Sequence, residues 1–306
     1  MRIGVIDLGS NSIRLVVYYW DGHVISKIQD FKHQAQSIKY VVDQRMTKEG
    51  IDNIVTHLKE LMVMARAYSV DETRIFATAS LRNIVNRKET QDEIENRIMH
   101  PIDVLDGNEE SLFGFEGMKR VVKLPLEGLS VDIGGGSTEI TYFKNNVPIF
   151  SDAISVGSLN MYFDHVIDVV PTDFEQIAIR HSIRDQLDRL DWLEGLHVET
   201  VIGIGGTARA IMKLHQARYE INTSIYDMTL SSNLVHDYAT LNKRNRDSEL
   251  VLIVSAVPDR LTTVIPGALI LDELMRKVEA QAFLISSYGV REGYLVSRIL
   301  EKSNNE

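Results

Sequence analysis

The sequence predicts an α/β protein built from two similar domains, and three observations predict it. First, Asp7-Leu-Gly9-Ser-Asn-Ser12 recurs as Asp132-Ile-Gly134-Gly-Gly-Ser137, with the aspartate, glycine and serine each displaced by 125 residues. Second, each copy sits in the same order of elements: apolar strand, glycine turn, second strand, tight turn, third strand, then helices. Third, 306 residues with 44% hydrophobic and 25% charged content suffice for two domains with real cores. The domains read as 1–124 and 125–306, facing each other around one cleft.

In chain order, Ile3–Ile6, Ile13–Trp20 and His23–Gln29 read as a meander, with Asp21-Gly22 as the hairpin signal. Asn146, in Asn145-Asn146, holds the place of Asp21 in the second copy. Ile51, Ile54, Val55, Leu58, Leu61, Met62 and Ala65 repeat at i, i+3, i+4, i+7 and predict an amphipathic helix. A strand over Arg74–Ala79 and helical segments to about His100 follow, stopped by Pro101. Ile102–Leu105 is strand-like, and Asn108–Arg120 reads as a helix after the Asp106-Gly107 turn.

The second domain opens on the apolar run Leu129–Ile133, and a strand resumes after the glycines at Ser137. Thr172–Leu190 predicts a polar-faced helix, and Val198–Ile204 a buried strand ending at a third glycine turn, Gly203–Thr207. Helical Ala208–His215 follows. Residues 217–248 carry no pattern that assigns them. Leu250–Val257 and Val264–Lys277 read as helices, Ala282–Ser286 as a strand, and Glu292–Lys302 as a closing helix.

Composition narrows the function classes. Cysteine is absent, which excludes disulfides and thiolate metal sites. No apolar run approaches the ~20 residues that span a bilayer, and no signal pattern opens the chain, so a cytoplasmic protein without a membrane partner is expected. A net charge of −10 argues against general nucleic-acid binding. The charge is uneven: residues 1–124 carry 17 Lys and Arg against 18 Asp and Glu, the remainder 16 against 25. A polyanionic substrate would find its basic partners in the first domain.

The glycine turns suggest the chemistry. Successive backbone N–H groups in such a turn form a concavity for anions, phosphate above all. Asp132 at its mouth would repel phosphate unless a divalent cation lay between them. Two such turns on facing domains would frame one phosphate site.

Asp7–Ser12 with Arg14, Ala77-Thr-Ala-Ser-Leu-Arg82, Gly107-Asn-Glu-Glu110, Asp132–Glu139, Gly203–Thr207 and Gly289-Val-Arg-Glu-Gly293 occur in the order found in exopolyphosphatases. The chain thus resembles the exopolyphosphatase/guanosine pentaphosphate phosphohydrolase family over nearly its whole length, in its short two-domain form. The resemblance implies the duplicated actin-like (ribonuclease H-like) ATPase fold. It also implies a Mg2+-dependent hydrolase that releases orthophosphate from the end of inorganic polyphosphate. Asp7, Gly9, Ser10, Asn11, Ser12, Gly134, Gly135, Gly136, Ser137 and Thr138 would bind phosphate, and Gly205, Gly206 and Thr207 would close the cleft. Asp132 and Glu139 would hold Mg2+, with Asp7 reaching it through water. Glu110 would be the general base, and Arg82 would take charge on the transferring group.

Other readings stay open at this level. Guanosine pentaphosphate is the rival substrate, a kinase is less favoured, and a non-catalytic (p)ppGpp sensor is the alternative of another class. A homodimer is allowed but not indicated. Glu109 and Glu116 read as ordinary surface acids, His236-Asp237 as a chance pair, and His57 as an unremarkable helix residue. The chain departs from the resemblance at Asn160, where an arginine is usual, at Thr262, where an acid is common, and in the basic segment Phe31–Tyr40.

Overall fold

In the computed structural model, residues 1–242 and 244–300 are described, with side chains through 298. The chain divides into two compact units, Met1–Gly107 and Asn108–Glu306. The first comprises strands β1 (Arg2–Leu8), β2 (Ile13–Trp20) and β3 (Ile25–His33), the short hairpin β4 (Val41–Val42) and β5 (Arg45–Met46), then α1 (Lys48–Ala67), β6 (Glu72–Ala77), α2 (Ala79–Arg82), α3 (Arg87–Ile98) and β7 (Asp103–Val104). Its main sheet runs β3-β2-β1-β6-β7. The first three strands are antiparallel, and β6 joins β1 in parallel.

The second unit is entered through α4 (Gly107–Met118). It continues with β8 (Glu127–Ile133), β9 (Thr138–Lys144), β10 (Val147–Ile154), α5 (Ser158–His165), α6 (Asp173–Leu187), β11 (Thr200–Ile204), α7 (Gly205–Arg218), β12 (Leu230–Ser231), α8 (Ser232–Tyr238), α9 (Arg246–Ala256), α10 (Val264–Lys277), β13 (Ala282–Ile285) and α11 (Val290–Tyr294). Its sheet runs β10-β9-β8-β11-β13-β12. The order of the first five strands repeats that of the first unit, so the protein is a duplicated α/β fold of the actin-like kind.

The central strands read as near-continuous apolar runs because both of their faces are covered. Ile3, Val5, Ile6 and Leu8 of β1 are fully buried, as is Leu129 of β8. α1 buries Ile51, Ile54, Val55, Leu58, Leu61 and Ala65, the stripe that the 3.6-residue period marks. Thr47 caps it, its hydroxyl accepting from Gly50 N at 3.2 Å. The β9–β10 hairpin turns through Asn145 and Asn146 at φ 52° and 62°, the pair of positive angles a type I′ turn requires.

Two element boundaries shift. β3 begins at Ile25, because the Asp21 carboxylate holds the N–H groups of His23 and Val24, each at 2.8 Å, and lengthens the loop. The units divide at 107/108, one residue into α4. Phe115 and Met118 of α4 cluster with Phe143, Ile202 and Ile204 of the second unit. The unassigned stretch 217–248 contains β12, α8 and the start of α9. The closing helix begins at Val290 and continues as a π-helical turn over Leu295–Leu300; Glu301 and Lys302 lie outside the described residues.

Candidate phosphate-binding turns and their acids

Each glycine turn is built by tying its carbonyls to one side. In the second unit, Gly134 O accepts from Ser158 N at 2.8 Å and from the Ser158 hydroxyl at 3.0 Å. Gly135 O accepts from Leu159 N and Asn160 N at 2.9 and 3.0 Å, and Gly136 O from Asn160 Nδ2 at 3.4 Å. No peptide among those described is cis, and a trans peptide points its N–H opposite its C=O. The N–H groups of Gly135, Gly136 and Ser137 therefore face away from α5, on one common side. Successive N–H groups turned to one side are what an anion-binding turn needs.

The first unit repeats the device. Gly9 O and Ser10 O accept from the Ser37 hydroxyl at 3.3 and 3.2 Å, and Asn11 O accepts from Gln36 N at 3.0 Å. The N–H groups of Ser10, Asn11 and Ser12 are thereby turned the other way. Both turns close alike, Gly9 N donating to Ser12 O at 3.1 Å and Gly134 N to Ser137 O at 2.9 Å. The carbonyl before each turn is held by a hydroxyl from the segment after the adjacent parallel strand. Ser80 donates to Leu8 O at 2.5 Å and Thr207 to Ile133 O at 2.7 Å. Thr78–Ser80 is thus the counterpart of the Gly205–Thr207 turn, which glycine content alone does not reveal.

Packing leaves no room for substitution at two glycines. A Cβ on Gly157 would stand 2.5 Å from the Gly135–Gly136 peptide, so α5 can approach the turn only there. Gly205 has φ +81°, and a Cβ on it would meet Asp132 Oδ1 at 2.2 Å. The Asp132 carboxylate thus lies against the start of α7. The Arg260 guanidinium lies against Gly206 in the same way; sequence reasoning did not single it out.

The acids separate the two turns. Asp132 faces Glu139 directly across the β8–β9 ladder, whereas the equivalent Asp7 faces Arg14 across β1–β2. Directly opposed residues share one face of a sheet with Cβ atoms about 4.5–5.5 Å apart. Arg14 is itself engaged by Asp30, through Nε at 2.6 Å and through Nη2. Glu139 is 3% exposed and accepts from the Ser137 hydroxyl at 2.6 Å. The Thr138 hydroxyl donates to Val156 O at 2.6 Å. Two carboxylates directly opposed on one sheet face can hold a divalent cation between them. Their all-oxygen donor set fits Mg2+.

Glu110 lies in the first turn of α4 and is 8% exposed, an acid at the end of the helix where the dipole favours it. Gly114, four residues on and on the same face, packs on Ile204, the ladder neighbour of Asp132. Ser111 donates to Asp152 O at 3.3 Å, beside the residue that faces Glu139. α4 therefore carries Glu110 alongside the strand ends that hold Asp132 and Glu139. Gly117, Gly289 and Gly293 let α4 and α11 meet backbone to backbone, which gives the Gly289–Gly293 motif a positioning role. Glu109 pairs with Arg298, whose guanidinium lies 5.6 Å from the Phe113 ring centre. Arg82 ends α2 in the first unit, two residues beyond Ser80, with Nη1 3.4 Å from Leu105 O.

Two sequence readings take a different physical form. Asn160 also accepts from Gly157 N at 2.7 Å and donates to Ser155 O at 3.1 Å, so its amide caps α5 and secures the turn. His236 is not paired with Asp237 but with Asp272 Oδ2 at 3.0 Å and Arg276 Nη2 at 2.8 Å.

The model of the Ppx/GppA phosphatase family matches residues 21–302. The chain belongs to that family. It is 23% identical to exopolyphosphatase 1 of Mycobacterium tuberculosis over 310 residues, covering 98% of this chain and 88% of the relative. Among solved structures it resembles an exopolyphosphatase from Cytophaga hutchinsonii, with a TM-score of 0.87 at 19% identity and 98% coverage of both chains. It also resembles the Ppx/GppA family member from Aquifex aeolicus, with a TM-score of 0.77 at 21% identity and coverage of 99% and 98%. At these identities the solved structures establish the shared fold.

Proposed function

We propose that the protein is a Mg2+-dependent exopolyphosphatase that removes the terminal phosphate of inorganic polyphosphate. The observation that carries this is the pair of turns whose carbonyls are all tied back, so that each offers a row of N–H groups to phosphate oxygens. Exopolyphosphatase is also the name borne by the M. tuberculosis relative. Mg2+ would be held by Asp132 and Glu139 and, when bound, would supply positive charge to neutralise phosphate oxygens.

The rest is the work of the chain's own groups. The N–H groups of Gly135, Gly136 and Ser137, and those of Ser10, Asn11 and Ser12, bind phosphate oxygens. Glu110 orients a water and takes its proton as the oxygen attacks the terminal phosphorus. The bond from that phosphorus to the bridging oxygen breaks, giving orthophosphate and a chain one phosphate shorter. Arg82 binds spread negative charge through its planar guanidinium. Burial of Glu110 limits competing water around the base.

The test is orthophosphate release from long polyphosphate, short polyphosphate and guanosine pentaphosphate, each with and without Mg2+. Rapid Mg2+-dependent release from polyphosphate is expected. Release confined to guanosine pentaphosphate would move the substrate, and none from any of the three would overturn the reading.

A further inference from the structure

A second cluster of ligand atoms lies in the first unit, outside the turns. His33 Nδ1 and His57 Nδ1 face each other at 3.2 Å. Glu60 Oε2 lies 3.3 Å from the first and 3.6 Å from the second. Two nitrogens and one carboxylate oxygen thus form a triangle of nearly equal sides. A single proton between the imidazoles satisfies only one of those sides.

We propose that His33, His57 and Glu60 bind a divalent transition ion of the Zn2+ type, with the fourth position open to water. The dimensions fit: bonds of about 2.0–2.1 Å around a tetrahedral ion place its ligand atoms roughly 3.3–3.4 Å apart. The donor set also selects the metal. Imidazole with one carboxylate suits Zn2+, Ni2+ or Cu2+, whereas Mg2+ takes oxygen donors. The side chains are 26%, 25% and 54% exposed for His33, His57 and Glu60, so the site is reachable from solvent yet partly walled.

His57 and Glu60 are i, i+3 neighbours on one face of α1, and His33 is the last residue of β3. The ion would clamp strand to helix. His33 pairs in the ladder with Ile13, the residue after the first glycine turn. Three residues beyond His33, Gln36 N donates to Asn11 O. The clamp thus fixes the strand end from which the Gln36–Ser37 segment holds that turn's carbonyls.

The experiment is titration of untagged, chelator-treated full-length protein with Co2+, read by its visible absorption, followed by displacement with Zn2+. One Co2+ per chain with an intense tetrahedral band is expected, lost in H33Q and H57Q and retained in D132N. Outer partners of a metal ligand are worth about 10–100-fold in affinity, so loss of a ligand atom should cost at least that. E60Q alters only the most exposed of the three side chains, and its fold can be verified by circular dichroism. It should weaken binding by at least about tenfold. Absence of a tetrahedral band, its survival in H57Q, or unchanged affinity in folded E60Q would each overturn the site.

Discussion

Asp132 and Glu139 stand directly opposite each other in the β8–β9 ladder, two acids on one face of the sheet. At the same place in the other copy Asp7 faces Arg14. The duplication therefore repeats the turn but not the residue opposite its aspartate, an acid in one copy and an arginine in the other. D132N should lose the rise in melting temperature that Mg2+ produces in the parent. Thermal denaturation with and without Mg2+ checks this; an undiminished Mg2+ effect in D132N would remove Asp132 from the ligand set.

Gly157 is the point at which α5 meets the Gly135–Gly136 peptide. Its φ of −137° is ordinary, so a side chain is excluded by contact and not by backbone strain. G157A should cost about 1–3 kcal/mol, as overpacking does, and should weaken phosphate binding because the turn must shift. Urea unfolding and phosphate titration measure the two effects.

Thr207 holds Ile133 O with its hydroxyl and packs its methyl on Gly267. T207V keeps the shape and strands a buried carbonyl, at a cost of about 1–3 kcal/mol. T207S keeps the hydroxyl and should retain more activity than T207V. S80A, at the equivalent bond to Leu8 O, should cost less than T207V, because Thr78 N also donates to that carbonyl at 3.4 Å. Urea midpoints and phosphate-release rates of the three variants decide it.

Asp272 is 3% exposed, bonded to Arg180 at 2.6 Å, to His236 at 3.0 Å and to Arg276 at 3.1 Å. Burial alone would raise its pKa, but the hydrogen bonds from His236 and Arg180, with the charge of Arg180, outweigh it and hold it below 3.8. A lowered carboxylate pKa contributes stability that is fully present above the unfolded value and is lost as pH falls through the folded one. The parent should therefore lose this contribution below about pH 4, and D272N should show a flatter profile there. At neutral pH D272N should be less stable by about 3–5 kcal/mol, the cost of breaking a buried pair. Urea midpoints at pH 7 and pH 3 test both.

Much of this architecture was legible before the fold was seen. The 125-residue offset carried the duplication, because the same Asp, Gly and Ser must recur where the same strand ends in the same turn. The α1 stripe followed from periodicity. What was hidden depends on contacts distant in sequence. Ser37, Ser80 and Ser158 bond to turn carbonyls 24 or more residues away, and a serine carries no mark of its partner. Asn160 read as a departure because only the fold shows its amide securing the turn. The first unit's counterpart of Gly205–Thr207 was missed because Thr78–Ser80 contains no glycine. His57 looked ordinary because His33 lies 24 residues earlier, on another element.

The central claim is that Glu110, and not its neighbour Glu109, handles the proton of the attacking water. Glu109 is committed to Arg298, so it serves as the internal control one residue away. The most direct measurement is orthophosphate release from polyphosphate by E110Q and E109Q, with folding of both verified by circular dichroism. A positioned general base is worth about 10²–10⁴-fold, so E110Q should lose activity by that factor while E109Q stays near the parent. Full activity in folded E110Q, or equal losses in the two variants, would contradict the account.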